Sequence, residues 1–342
     1  MIRELLRVEG RQQQNFHEQA AAATRSRFGK EVFVRAVVEV SNYCRENCAY
    51  CGMRRDNRAL VRYRAKHDEL AELLIHHRPP SVTDVNIQAG EDPIAVRELV
   101  IPLLRTLKHK TALGLSVCLG SLSSALYSEL KEAGASIYIL KFELANQRRY
   151  AEFQAPGTFA ERIHNIRHLA ATGWQVSSGF IAGLPGETDE DLLASFELAS
   201  ELPLNGCSVS PFIAGDETPL AQAPVANIDL TLNCMAALRL MRPDWVIPSV
   251  SALNLAEPGW GYRRGLRTGA NLVTINLTPT DLRGNYVLYK RDRFIMTEER
   301  ILAAIAAEGL VPSTKSLSDF YRARKPNGVH KAVPAEAIKE IA

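Results

Sequence analysis

From residue 32 onward, apolar runs of strand length alternate with segments whose apolar residues recur at helical spacing, and this alternation limits the possible folds most sharply. Strand character falls at 32–40, 82–88, 113–119, 136–143, 175–181, 206–212, 246–251 and 271–276. Helical periodicity falls at 68–78, 94–108, 123–133, 158–172, 188–202, 229–241 and 258–268, with a further segment at 297–307. Gly134, Gly173 and Gly269 follow three of these helices, where a left-handed cap is wanted. Eight strands alternating with helices is the count of a (β/α)8 TIM-type barrel, an α/β fold. A doubly wound open sheet has the same alternation, because strand order is not written in one sequence. The barrel is expected to span 31–290. An N-terminal helical segment covers 1–30, and a C-terminal helix and basic tail cover 291–342. The most basic part of that tail, 315–331, reads as a solvated end.

Composition narrows the function classes. The 342 residues are 46% hydrophobic and carry a net charge of +3, enough apolar material for a core and too little charge to select nucleic acid or an anionic membrane as partner. No run of about 18 apolar residues is present to span a bilayer. The start, MIRELLRVEGRQQQ, lacks the apolar stretch of a secretory signal. Six cysteines are too few for a disulfide scaffold and fit a reducing compartment, so the expected location is cytoplasmic.

A barrel places its chemistry in the loops that follow the strands. Those segments read SNYCRENCAYCGMRRDN, AGEDP, GS, LAN, AGLPGET, IAGDETP, ALNLAEP and LTPTDLRGN, the polar and glycine-rich parts of the chain. Cys118, Cys207 and Cys234 sit in or beside apolar runs and read as packing. Cys44, Cys48 and Cys51 fall in eight residues, CRENCAYC, and present three thiolates from one loop. Structural zinc takes four protein ligands, and no fourth Cys or His lies nearby. Three thiolates on a [4Fe–4S] cube leave one iron open to a small ligand. Zinc, plain packing and such a site-differentiated cluster are the three readings of the residues themselves.

CRENCAYC after the first strand resembles the signature C-x3-C-x-aromatic-C of the radical S-adenosylmethionine (SAM) superfamily, with Tyr50 as the aromatic. The segments NIQAGEDP, GFIAGLPGETDEDL, SPFIAGDETPLA and TGANLVTINLTPT occur in the order of the branch that holds the hydrogenase maturase HydE, biotin synthase and the methylornithine synthase PylB. The resemblance covers about residues 32–290 and is strongest toward HydE. It implies an enzyme with a [4Fe–4S] cluster on Cys44, Cys48 and Cys51, and SAM on the open iron. SAM is cleaved to methionine and a 5′-deoxyadenosyl radical that acts on a small-molecule or small organometallic substrate in the barrel. A flavodoxin- or ferredoxin-type protein supplies the electron; Arg54 and Arg55 after the cluster loop read either as serving its docking or the cluster's electrostatics, or as a solvated loop.

The same resemblance assigns SAM contacts to Tyr50, to Gln88, Gly90 and Glu91 at the end of strand 2, to Glu143 with Arg162, and to Ile181, Gly183 and Leu184 in GFIAGLPG. Glu143, Tyr286 and Tyr289 are the catalytic candidates, the tyrosines beside the substrate cavity. The bland alternatives are a Glu143–Arg162 structural ion pair, a helix start biased by Glu91, and ordinary tyrosine packing. Departures from the HydE pattern fall at Lys141, Phe142 and Leu144 on strand 4, at Cys118 and Ser121 around the end of strand 3, and at Val250-Ser251 on strand 7. A PylB-like carbon-skeleton rearrangement, biotin-synthase-like sulfur insertion and a non-catalytic iron–sulfur carrier are the alternative functions.

Overall fold

The structure, a computed structural model, describes residues 2–291 and 294–323. Seven parallel strands, β1 (Glu31–Ser41), β2 (Asp84–Ala89), β3 (Gly114–Cys118), β4 (Ile137–Ile139), β5 (Gln175–Ala182), β6 (Gly206–Pro211) and β7 (Leu272–Asn276), form one sheet in the order β6-β5-β4-β3-β2-β1-β7. The edges β6 and β7 are joined by residues 246–248: Val246 bridges Gly206 and Pro248 bridges Leu272, both in parallel. The Val246 N–H donates to the Asn205 carbonyl at 3.1 Å and the Ser249 N–H to the Leu272 carbonyl at 2.8 Å. The ring closes as an α/β barrel, and the open sheet is set aside. A two-residue strand, β8 (Val311–Pro312), pairs with the start of β1.

Three expected elements differ in extent. The stretch at 246–251 makes two bridges rather than a full strand, because Pro248 has no N–H to give the ladder. Regular pairing of β4 stops at Ile139, and the chain then reaches Glu143 at φ 64°. The helix expected at 258–268 is shorter, Gly261–Arg267, and a separate short helix, Leu253–Ala256, precedes it.

Strand alternation divides each strand between two environments. On β1, Val34, Ala36, Val38 and Val40 are fully buried against the outer helices, each worth about 1.5–3 kcal/mol for a valine. Arg35, Val37 and Glu39, in the opposite phase, line the barrel interior. The outer helices start where the sequence supplies caps. Thr158 and Thr188 each open a helix with a reciprocal capping box, and Asp92 accepts from the Ala95 N–H.

The first 28 residues form two helices, Ile2–Leu6 and Gly10–Phe28, parted where Gly10 adopts φ 56°. They lie on the outer layer, against Ile228–Met241, and are neither a lid nor a plug. Asn233 ties them down by donating to the carbonyls of Leu6 and Val8, both at 3.1 Å. This cover explains why nearly every residue of Ile228–Met241 is buried and why its sequence, ILTLNCMAALRLM without its one aspartate, is apolar almost all round.

The base of the barrel is closed by the helix Leu317–Ala323. Leu317 and Tyr321 pack on Phe33, Ile137, Val246 and Leu272, the first inward residues of their strands. The basic tail expected at 315–331 is thus packed over its first part, and its remainder lies outside the described residues. Asp84, 1% exposed, accepts the Leu317 N–H on both carboxylate oxygens at 3.0 Å. Burial pushes this carboxyl up to about 6, against hydrogen bonds and Arg35 that pull it down. The folded state therefore holds its proton more tightly than the unfolded chain, so stability falls as pH rises from about 4 to about 6. Asp84→Asn is expected to flatten the fall in melting temperature across that window; an unchanged profile would place the titration elsewhere.

Candidate active site

The loop after β1 is held in shape before any ligand enters. The Arg62 guanidinium donates to the carbonyls of Asn42, Met53, Arg54 and Asn57 at 2.5–3.3 Å, and Asn57 donates to the Gly52 carbonyl at 2.7 Å. Gly90 lets β2 end directly against this loop. A Cβ there would lie 2.2 Å from the Tyr43 carbonyl oxygen and 2.9 Å from the Cys44 Cβ. Both contacts are too close to relax without moving the loop. Gly90→Ala is expected to lower iron uptake on reconstitution at least severalfold and to destabilise the fold by about 1–3 kcal/mol. Full iron loading in that variant would show that the loop tolerates the displacement.

Cys44, Cys48 and Cys51 line the mouth of a cavity of about 340 Å³ that runs down the barrel axis. Burial pushes all three thiols up, Cys51 to about 12. Such a set becomes thiolate when a cationic metal group shares the site. Among the described residues no group of three or more His, Cys, Asp or Glu is arranged to hold a single metal ion. A cube differs in needing its three ligands at separate corners rather than converged on one ion.

Glu91 is the centre of the polar network beside the triplet. Its backbone N–H reaches the Cys44 Sγ at 3.4 Å. Its carboxylate accepts from Arg162 Nη2 at 2.9 Å, from the Ser121 N–H at 3.1 Å and from Arg45 Nη2 at 3.2 Å. The buried ion pair of Arg162 is therefore with Glu91, and the Glu143–Arg162 pair considered from the sequence does not form. Burial alone would lower the Arg162 pKa, but Glu91, Tyr150 and Glu143 outweigh it and raise it. Arg162 Nε is buried with no partner.

Glu143, just after β4, also lines the cavity. Its backbone N–H donates to the Gly179 carbonyl at 3.1 Å, and its carbonyl accepts from the Ile181 N–H at 2.8 Å. A non-glycine residue at φ 64° is strained by about 1–3 kcal/mol, and here it turns a carboxylate toward the cavity mouth. The Tyr50 hydroxyl is likewise buried without a hydrogen-bond partner. One free guanidinium N–H, one carboxylate and one free hydroxyl thus surround three thiols, a donor set suited to a zwitterionic amino acid.

The remaining expected residues separate into two groups. Gln88, Ile181, Tyr286 and Tyr289 line the cavity, and Gln88 hydrogen-bonds the Tyr286 hydroxyl. Gly183 and Leu184 do not line it: Leu184 packs behind Ile181, and the Gly183 N–H donates to Glu187 at 2.6 Å. The positions that depart from the HydE pattern also divide. Lys141, Cys118, Val250 and Ser251 face the cavity, where Lys141 donates to Ser210 at 3.0 Å. Phe142 faces away, stacked on Phe180 at 5.8 Å, Leu144 packs with Tyr150, and Ser121 contributes its backbone, the N–H to Glu91 and the carbonyl to Arg45 at 2.8 Å. Arg35 and Glu39 are cavity-lining residues that the sequence reading passed over. Their signal was two charges four apart within an otherwise apolar strand.

The sequence profile of the radical SAM superfamily matches residues 38–199. The [FeFe] hydrogenase maturase subunit HydE of Thermotoga maritima is 34% identical over 261 residues, covering 76% of this chain and 74% of that protein. The 3-methylornithine synthase of Methanosarcina acetivorans is 24% identical, over 92% of this chain and 90% of its own length. Among solved structures, methylornithine synthase (PylB) superposes with a TM-score of 0.82 at 24% identity, covering 94% of this chain and 95% of that one. The hydrogenase maturase HydG from Carboxydothermus hydrogenoformans superposes at 0.79 and 20% identity, covering 94% and 77%. The profile, the identity to HydE and the cysteine loop at the mouth of a parallel barrel agree, and the chain belongs to the radical SAM superfamily as an enzyme related to HydE, PylB and biotin synthase.

Proposed function

We propose that this enzyme binds a [4Fe–4S] cluster through Cys44, Cys48 and Cys51 and SAM beside it, and acts on a small substrate held lower in the same cavity. The chemistry these groups supply when bound is one-electron cleavage of SAM to methionine and a 5′-deoxyadenosyl radical. The observation that carries the reading is the free Arg162 Nε, the free Tyr50 hydroxyl and the strained Glu143 around one thiol-lined mouth. Arg162 fits the methionyl carboxylate, because a guanidinium held at Nη2 by Glu91 keeps its Nε–H free. Glu143 and the end of β2, at Gln88 and Gly90, supply acceptors for the amine. Ile181 gives the adenine an apolar wall. Gly183 and Leu184 act from behind it, by fixing the turn.

Below that level the wall is Gln88 with Tyr286, Tyr289, Lys141 with Ser210, Cys118 and Val250. Tyr286 and Tyr289 position the substrate, and the Lys141 ammonium sets its polarity. Lys141, Cys118, Val250 and Ser251 are departures from the HydE pattern that reach the cavity, so the reading is a HydE-like enzyme with an altered substrate. Sulfur insertion of the biotin synthase type is disfavoured: beyond the triplet, Cys118 lines the cavity while Cys207 and Cys234 are buried in the packed layer outside it.

The test is anaerobic reconstitution with iron and sulfide, followed by EPR of the reduced protein with and without SAM and assay of 5′-deoxyadenosine. A reduced-cluster signal that shifts on adding SAM, with 5′-deoxyadenosine formed, is the expected result. A loaded cluster indifferent to SAM would sink the reading and favour an iron–sulfur carrier.

A further inference from the structure

The barrel interior holds a cation that the protein itself does not pair. Seven buried side-chain polar atoms lack a hydrogen-bond partner among the described residues, and four of them belong to residues that line the cavity. Arg162 and Tyr50 are the two described above at the mouth. The other two atoms are Arg35 Nε and Asn254 Nδ2, both donors. The Asn254 oxygen accepts the Tyr262 N–H at 3.3 Å, so it is the amide NH2 that is left over. Two unused donors on one cavity wall call for an acceptor that a ligand brings.

Arg35 stands low in the barrel. On β1 it is the next inward residue after Phe33, which packs on Leu317 and Tyr321 at the closed base. Its register partners are Asp84 on β2 and Thr274 on β7. Asp84 is the acid whose charge Arg35 feels most. The Asp84 oxygens, however, are taken by the Leu317 N–H at 3.0 Å and the Thr83 hydroxyl at 2.9 Å. Arg35 makes no hydrogen bond or ion pair with any described residue. Burial pulls its pKa down, but a guanidinium keeps its proton in a protein interior. An unpaired buried charge costs stability, and a fold keeps one where function needs it. A carboxylate matches the planar fork, whereas a dianion such as phosphate is repelled by Asp84 nearby.

We propose that Arg35 is a specificity-determining residue and that the substrate is a short-chain carboxylic acid, anchored by its carboxylate on Arg35 with the Asn254 amide as a further donor. The rest of the substrate lies along the wall of Gln88, Tyr286 and Val250, and its far end faces the SAM site. The proposal rests on the reading above for the place of SAM; the anchor itself needs neither cluster nor SAM.

The experiment measures binding of butyrate, butyramide and butylammonium to the full reconstituted protein, with and without SAM, by calorimetry and melting temperature. Butyrate is expected to bind about tenfold or more tighter than its neutral and cationic counterparts, and to lose that advantage in Arg35→Met. SAM affinity should stay at the parent level in that variant, which separates this anchor from Arg162. Without ligand, Arg35→Met should melt at or above the parent, because it removes a charge that nothing pairs. Arg35→Lys keeps the charge without the fork, and its butyrate affinity should fall between the two. Equal binding of butyrate and butyramide by the parent overturns the proposal, and needs no variant to show it. Butyrate affinity retained in Arg35→Met overturns it too. A variant that melts well below the parent would make Arg35 a structural partner of Asp84, with the same consequence. Equal, Arg35-dependent stabilisation by chloride or phosphate alone would make this an inorganic-anion site and end the substrate assignment. Arg35-dependent butyrate binding in a protein that binds no SAM would instead remove the SAM reading and leave the anchor standing.

Discussion

Replacing any one of Cys44, Cys48 or Cys51 with alanine is expected to remove stable cluster binding and SAM cleavage together. The three thiols come from one loop whose shape is fixed independently, by Arg62, Asn57 and the close approach of Gly90. Each variant should therefore fold, with a loss of about 1 kcal/mol or less for the half-buried Cys44 and Cys51, yet lack one of three metal bonds. Their loss cannot be made good from nearby, because no further Cys or His lies in the loop. Cys118→Ala and Cys207→Ala are the controls. Cys118 lines the cavity below the mouth and Cys207 lies in the outer packing, so both should keep a full iron content. Iron, sulfide and 5′-deoxyadenosine are measured after the same reconstitution. An alanine variant of the triplet with parent-level iron and SAM cleavage would end the cluster assignment.

The barrel was legible because its elements are punctuated locally. Apolar alternation marks the strands, and Thr158 and Thr188 sit where capping boxes form. The ring closure at 246–248 was less legible: the apolar run is present, but Pro248 reduces a strand to two bridges. The cysteine loop could be read outright, since a spacing within eight residues survives any tertiary arrangement. Pairings across the barrel could not. Arg162 lies 71 positions from Glu91 and closer in sequence to Glu143, yet it pairs with Glu91, because the end of β2 reaches over to the mouth and Glu143 is turned at φ 64°. The same limit applied to the departures on strand 4. Lys141, Phe142 and Leu144 looked alike as changes in one motif, but the strand period of two sends Lys141 inward and Phe142 outward.

The Glu91–Arg162 pair allows stability and SAM binding to be separated. Both side chains are nearly dry, 7% and 3% exposed, and their oxygen and nitrogen lie 2.9 Å apart. Arg162→Ala leaves Glu91 buried with the Ser121 N–H and the partly exposed Arg45 as its remaining partners. Breaking one half of a buried pair costs about 3–5 kcal/mol, and these two partners should bring the loss toward the lower end. Replacing both, as Glu91→Gln/Arg162→Met, removes both charges and leaves an amide oxygen for the Ser121 N–H. Stability should then recover to within about 1–2 kcal/mol of the parent. SAM affinity should not recover, because the free Nε–H of Arg162 is gone in both variants; a loss of about tenfold or more is expected in each, in line with a lost charge-assisted hydrogen bond. Arg162→Lys keeps the charge but not the fork and should bind SAM weakly while remaining folded. Denaturant unfolding and equilibrium dialysis of SAM against the reconstituted protein read the two effects independently. Parent-level SAM binding in the double variant would show that Arg162 serves the fold alone, and an Arg162→Ala protein as stable as the parent would show that Glu91 has no need of it.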